Sequence, residues 1–387
     1  MRTNINLGLI LVGFLAVGCS SEIDSVSEDS VRDYSNVEIS LQSDPKIEVS
    51  TTRAAIMGDD EDVTSNINNI GVFGLARTTQ EINNTAGAIN WFHNTENWSD
   101  CILDNVKSYK EGNDIKWANP DDVYFYPVSQ FYSYDFYGYY PRVSNPIKTY
   151  NRVCAEYTID GTQDLIWGRA TSSEKYAYSA RYYRESQENS TKRPNIALKH
   201  LLTRLVFKAV PGETYAGSGD YSAASTMLIS SVELVDVATG IGVVIADNSK
   251  LDMDLSDRIY KTGTVGTLPL TSVDDSGNNI PFVPVHMGDD PATAVQLGES
   301  VMLYPENQYT IRISLIKDPY TDAVTGTDYP AQTYITEIPL QIQNDGLSAF
   351  EQGTSYNITI TVHGPKSISL TSTLTPWIEK EGPSIEL

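Results

Sequence analysis

From residue 37 onward, apolar and polar positions alternate in short runs rich in Val, Ile, Thr and Tyr, broken by Gly, Asn, Asp and Pro. The clearest runs are VEISLQS (37–43), KIEVSTT (46–52), IGVFGLA (70–76), LVFKAV (205–210), MLISSVELVDV (227–237), IGVVIAD (241–247), YTIRISLIK (309–317), TYITEIPLQIQ (333–343), YNITITVHG (356–364) and SISLTSTL (367–374). A period of two puts one face of each strand in a core and the other in water. Long runs at the helical period are absent, which argues against βαβ units, so the pattern predicts an all-β chain. In NIALKHLLTRLVFK (195–208), Ala197, Leu198, Leu201, Leu202 and Leu205 could share a helical face, but the β-rich end favours a strand.

The polar stretch 161–195 ends in ENSTKRPN, where Pro194 disfavours regular structure before it. This predicts a domain boundary near 195 and two β-sandwiches, 54–194 and 195–387. No close sequence repeat is visible between the halves.

Composition narrows the function. With 387 residues, 40% of them hydrophobic and 20% charged, the chain has material for a packed core and for roughly two domains at about 100–200 residues each. Fifty acidic residues against 27 Lys plus Arg give a net charge of −23, which repels a phosphate backbone and sets nucleic acid aside. Three cysteines are too few for a disulfide scaffold, and His93, His200, His286 and His363 lack metal-ligand spacing. The acidic run GDDED (58–62) lacks the alternating oxygen ligands of a calcium loop. No cofactor and no metal are expected.

Residues 1–18 open with Arg2, continue through an apolar run from Leu7 to Val17 and end in Gly18 before Cys19. This reads as a secretory signal, because the run falls well short of the roughly 20 residues that span a bilayer. The AVGC ending resembles the lipobox of bacterial lipoproteins, which implies acylation at Cys19 and anchorage in outer-membrane lipid. The acidic stretch 20–33 resembles the export signal of surface-exposed lipoproteins.

Six segments in order resemble the fimbrillin family, the type V pilin-like lipoproteins. They are TTRAAI (51–56) followed by NNIGVFGLA (68–76), then SYDFYGYYPR (133–142), DLIWGRAT (164–171), LKHLLTRLVFKAV (198–210), FEQGTSYNITITV (350–362) and LTPWIE (374–379). Gly138 stands where the family more often has Ala. The resemblance implies two tandem transthyretin-like β-sandwich domains after a lipoprotein signal, a place in a pilus (fimbrium) at the cell surface, and other pilus subunits as partners. It does not identify a stalk, tip or anchor subunit.

In this family an arginine-specific protease cuts after the first strand, and Arg53 matches that position, with Ala54 as the new N-terminus. Cleavage would release residues 19–53 and any strand formed by Val37, Ile39 and Leu41 or by Ile47 and Val49. An emptied groove with unpaired backbone invites an incoming strand, and such β-augmentation takes affinity from the backbone and specificity from alternate side chains. Ile368, Leu370, Leu374 and Trp377 near the C-terminus are the donor-strand candidates, and a head-to-tail contact builds an open filament. Alternatively, Arg53 ends an exposed strand and residues 367–374 are an ordinary strand of an uncleaved adhesin. Residues 1–53 hold 8 acidic and 4 basic residues, leaving 42 against 23, so the cleaved body keeps a net charge of −19.

The block 124–140 is dense in Tyr and Phe. Exposed rings such as Tyr137 and Tyr139 could stack on host or dietary glycans, the basis of an alternative reading as a non-polymerising surface lipoprotein with host or bacterial surface ligands; otherwise the rings pack the sandwich. Cys101 and Cys154 remain after acylation of Cys19, and the sequence leaves their pairing open. SSEK (172–175) and KTG (261–263) match two pieces of the penicillin-recognising serine enzyme signature, but the middle element is missing and Ser172 opens no helix of a mixed α/β domain. No enzymatic activity is expected.

Overall fold

The computed structural model describes residues 35–43, 67–77, 101–128, 132–174, 176–185, 193–288, 290–342, 349–365 and 367–375. Among them the fold is all-β, with a six-residue helix at Ala180–Glu185, a four-residue one at Ser222–Ser225 and a 3-10 turn at Leu255–Arg258.

Seven strands close into a barrel. Around its wall the order is β1 (Leu41–Ser43), β4 (Asp114–Trp117), β3 (Cys101–Glu111), β2 (Asn68–Arg77), β5 (Ser133–Tyr140), β8 (Ile166–Ala170) and β9 (Asn195–His200). Ile70, Val72, Leu103, Tyr134, Phe136, Ile166, Ile196 and Leu198 fill the interior.

A second sheet, in the order β13 (Ile259–Lys261), β12 (Gly240–Asp247), β7 (Arg152–Thr158) and β6 (Ile147–Lys148), covers part of the barrel's outer wall. There Phe73, Leu75, Tyr137, Tyr139 and Trp167 of the barrel pack against Val153, Ala155, Ile241 and Val243. This third layer explains why β5 (SYDFYGYY) is buried on both faces: its even-numbered rings enter the barrel and its odd-numbered rings lie under the sheet.

The remaining large sheets share one core and form the expected sandwich. One runs β18 (Val295–Gln296), β10 (Thr203–Pro211), β24 (Ser355–Gly364) and β25 (Ser367–Thr375), with β19 (Val301–Leu303) also paired to β10. The other runs β14 (Val265–Pro269), β11 (Met227–Ala238), β20 (Gln308–Lys317) and β23 (Gln332–Gln341), with β17 (Val285–His286) on β11. Two small hairpins complete the set, β15 (Thr271–Val273) with β16 (Asn279–Pro281) and β21 (Tyr320–Thr321) with β22 (Asp328–Tyr329). In β10, Leu205, Phe207 and Ala209 point inward between half-buried or exposed neighbours, and each large side chain so buried contributes about 1.5–3 kcal/mol.

The segment 195–208 is strand, as its β-rich end favours, split into β9 and β10 at Leu201 and Leu202. The boundary does not fall at 195: β9 pairs with β8 from Ile166↔His200 to Arg169↔Ala197 and belongs to the barrel. Nor do the halves separate cleanly, since β12 returns to pair with β7 from Gly240↔Thr158 to Asp247↔Arg152. The first unit is a closed barrel rather than an open sandwich because β1 bridges its last gap.

Candidate functional site: the barrel seam

The closing strand comes from VEISLQS (37–43). Its alternation places Val37, Ile39 and Leu41 inside the barrel, each at most 2% exposed. The first half is held by 124–126: Ile39 donates its N–H to the Tyr124 carbonyl (2.8 Å) and Tyr126 donates to that of Val37 (2.9 Å). The second half, β1, is antiparallel to β4 (Leu41↔Ile115, Gln42↔Asp114) and parallel to β9 (Gln42↔Asn195, Ser43↔Ile196). Gln42 N–H bonds the Pro194 carbonyl (2.8 Å) and Ser43 N–H that of Asn113 (2.9 Å).

A polar clamp sits on the outer face of this strand. Arg193, at the entrance to β9, donates through Nη2 to the Ser40 hydroxyl, to Asp114 Oδ1 of β4 (3.2 Å) and, at 3.5 Å, to the Leu41 carbonyl. One guanidinium thus grips the inserted strand and the far wall of its slot together. Beneath it, burial holds the phenol of Tyr126 far above its ordinary pKa, so that side of the seam stays uncharged at any physiological pH. Burying Val37, Ile39 and Leu41 is worth about 1.5–3 kcal/mol each as an upper estimate.

Cys19, Arg53, Ala54 and Trp377 lie outside the described residues, as does the side chain of Leu374. Ile368 and Leu370 sit half-buried against the sandwich core on β25, which among the described residues is an edge strand paired with β24 alone, from Ser355↔Thr375 to Gly364↔Ser367.

The glycan-contact expectation fails at its named residues. Tyr137 and Tyr139 are 2% and 0% exposed under the second sheet, and the Tyr139 hydroxyl donates to Asn105 Oδ1 (2.7 Å), leaving no ring face for a sugar. No disulfide joins Cys101 to Cys154; the Cys101 sulfur lies 3.1 Å from the Leu103 carbonyl, and the Cys154 sulfur accepts from Arg152 Nε (3.0 Å). His200 Nδ1 lies 2.7 Å from buried Asp164. Ser172 Oγ accepts the Glu174 N–H (3.2 Å) in a local turn.

Sequence reasoning missed Arg193 because its partners, Ser40 and Asp114, are 153 and 79 residues away. Only the basic residue before Pro194 in a polar stretch marked it.

Among solved structures, the chain is similar to a candidate cell adhesion protein from Bacteroides uniformis, with 13% identity, 88% of this chain and 99% of that one covered, and a TM-score of 0.46. It is similar to the fimbrial anchor protein Mfa2 from Porphyromonas gingivalis (11% identity, 87% and 99% covered, TM-score 0.34). It is also similar to a fimbrial assembly protein from Parabacteroides distasonis (11%, 88% and 98%, TM-score 0.36). No curated protein sequence matches it. The profile of the fimbrillin-like family matches residues 52–377, which take in every strand except β1, and the chain therefore belongs to the fimbrillin-like family.

Proposed function

We propose that this protein is a pilus subunit exported as a lipoprotein through Cys19, anchored in outer-membrane lipid, and assembled by strand exchange after cleavage between Arg53 and Ala54. The observation that carries the reading is the placement of residues 37–43. They close the barrel and bury three apolar side chains in it, yet they lie on the N-terminal side of Arg53. Before cleavage the strand is tethered to its slot at high effective concentration; afterwards it is a separate molecule whose release gains translational freedom. The vacated slot leaves unpaired backbone on β4 and β9, and a strand from another subunit refills it.

Treatment of the purified precursor with an arginine-specific protease should produce a chain beginning at Ala54 and strand-exchanged oligomers. A precursor that stays whole, or is cut there and stays monomeric, overturns the reading. The burial of Tyr137 and Tyr139 removes the specific basis for the glycan-binding alternative.

A further inference from the structure

Arg258 closes the 3-10 turn at Leu255–Arg258 and is 2% exposed. Its guanidinium lies over the Trp167 indole, 4.2 Å from the ring centroid, where the second sheet covers the barrel wall. Nη2 reaches the Met253 carbonyl at a long 3.4 Å. Nε and Nη1 are buried with no partner, and among the described residues no carboxylate pairs with the group.

The neighbours do not supply the missing charge. The Trp167 and Tyr137 rings are 6.5 Å apart, and Arg169 lies over Tyr137 at 5.6 Å, so two guanidiniums stand side by side on adjacent rings. Arg169 is engaged by Asp135, which also holds Arg77, and its Nε is likewise buried without a partner. Asp252, 4.0 Å from Arg169 Nη1, is fully exposed and screened by water. Asp247 is buried nearby, but its Oδ1 is taken by the N–H and hydroxyl of Ser249. Three guanidiniums thus face two buried carboxylates, and one positive charge is left over. A buried lysine could shed its proton, whereas a guanidinium cannot. The charge therefore persists, and burying it unpaired is costly.

We propose that this layer binds one small monovalent anion of the halide class, held at a free N–H of Arg258 and drawn by Arg169 beside it. One negative charge balances the cluster, and a dianion such as phosphate would overshoot it. A halide needs only donors around it, and donors are what the cluster has to spare: Nε and Nη1 of Arg258 and Nε of Arg169. The net charge of −23 repels anions at a distance, but in a layer shielded from water the nearest charges dominate.

The test follows the melting temperature of the full-length protein as chloride replaces gluconate at a fixed total of about 300 mM, so that screening stays constant. An ion that binds only the folded chain stabilises it by mass action, and full replacement should raise the melting temperature by about 2–5 °C. Arg258→Met keeps apolar packing on Trp167 and removes the buried charge, so its melting temperature in gluconate should match or exceed that of the parent, with no response to chloride. Crystals grown in bromide should show an anomalous peak within hydrogen-bonding reach of Arg258. Absence of a chloride response in the parent, or a response that survives in Arg258→Met, overturns the proposal. A bromide peak without a chloride response is occupancy at crystal concentration only and overturns it equally. Should Arg258→Met fail to fold, the bromide map decides: a peak at Arg258 beside a chloride response in the parent supports the site, and no peak there removes it.

Discussion

Trp167 donates its indole N–H to the carbonyl of Ile245 across 2.8 Å, and Ile245 is the residue left out of the β7–β12 ladder. The register passes from Val244↔Cys154 to Ala246↔Val153, so Ile245 is an extra residue whose backbone the neighbouring strand does not satisfy. The bond ties the barrel wall to the sheet laid over it, and Arg258 lies over the same indole at 4.2 Å.

Trp167→Phe keeps an aromatic ring but strands that carbonyl in a dry layer. The expected loss is about 1–3 kcal/mol, read as a lower urea midpoint at unchanged slope. An unchanged midpoint would mean that water reaches Ile245.

Asp135 is 1% exposed and receives both Arg77 (2.5 Å) and Arg169. Asp135→Asn leaves two guanidiniums without their counter-charge, and removing one partner from such a buried group costs about 3–5 kcal/mol. Glu337→Gln on the exposed Arg312–Glu337 pair (2.8 Å) should cost under about 1 kcal/mol. Thermal melts of the two variants side by side give the comparison, and equal shifts would contradict the burial of Asp135.

Burial pushes the Tyr139 phenol up to about 12 and raises Tyr126 and Tyr137 further. A folded value above the unfolded one of about 10 means that the stabilisation is complete below pH 10 and is lost as pH climbs from there through about 12. Phenolate absorbance and far-ultraviolet circular dichroism, followed together, should show a late group of tyrosines ionising only as the strands melt. Ionisation of every tyrosine by pH 10.5 with the sheet signal intact would refute it.

Cys154 is buried, and desolvation raises its thiol pKa, whereas Cys101 is only half-buried. Alkylation at pH 8 should modify Cys101 first and Cys154 slowly, since burial shields the Cys154 sulfur and disfavours its thiolate. Mass mapping of the labelled peptides distinguishes the two, and a Cys101–Cys154 cross-linked peptide in non-reduced digests would contradict the structure.

Local alternation made the second unit readable: Leu205 and Phe207 in β10, Ile311 and Ile313 in β20, and Ile358 and Ile360 in β24 mark their buried faces by period alone. The first unit resisted because two layers of chain cover the same wall. Nothing local distinguishes Tyr137, which lies beneath the second sheet, from a ring lining a wet surface, since the cover comes from Ile241 and Val243 about a hundred residues on. The seam was half legible. Val37, Ile39 and Leu41 showed their face, but their partners Ile115 and Ile196 are set by long-range pairing.

The barrel's wall also has an order of construction. Residues 37–43 leave the ribosome before any other strand of the barrel, yet their place exists only once Ile196, on the parallel neighbour β9, has been made. Pairing over such a separation is slow. The antiparallel neighbour of β1, β4, is made well before β9, so the ring closes where the strand made first meets the strand made last, and the seam that exchange between subunits would reopen lies at that junction.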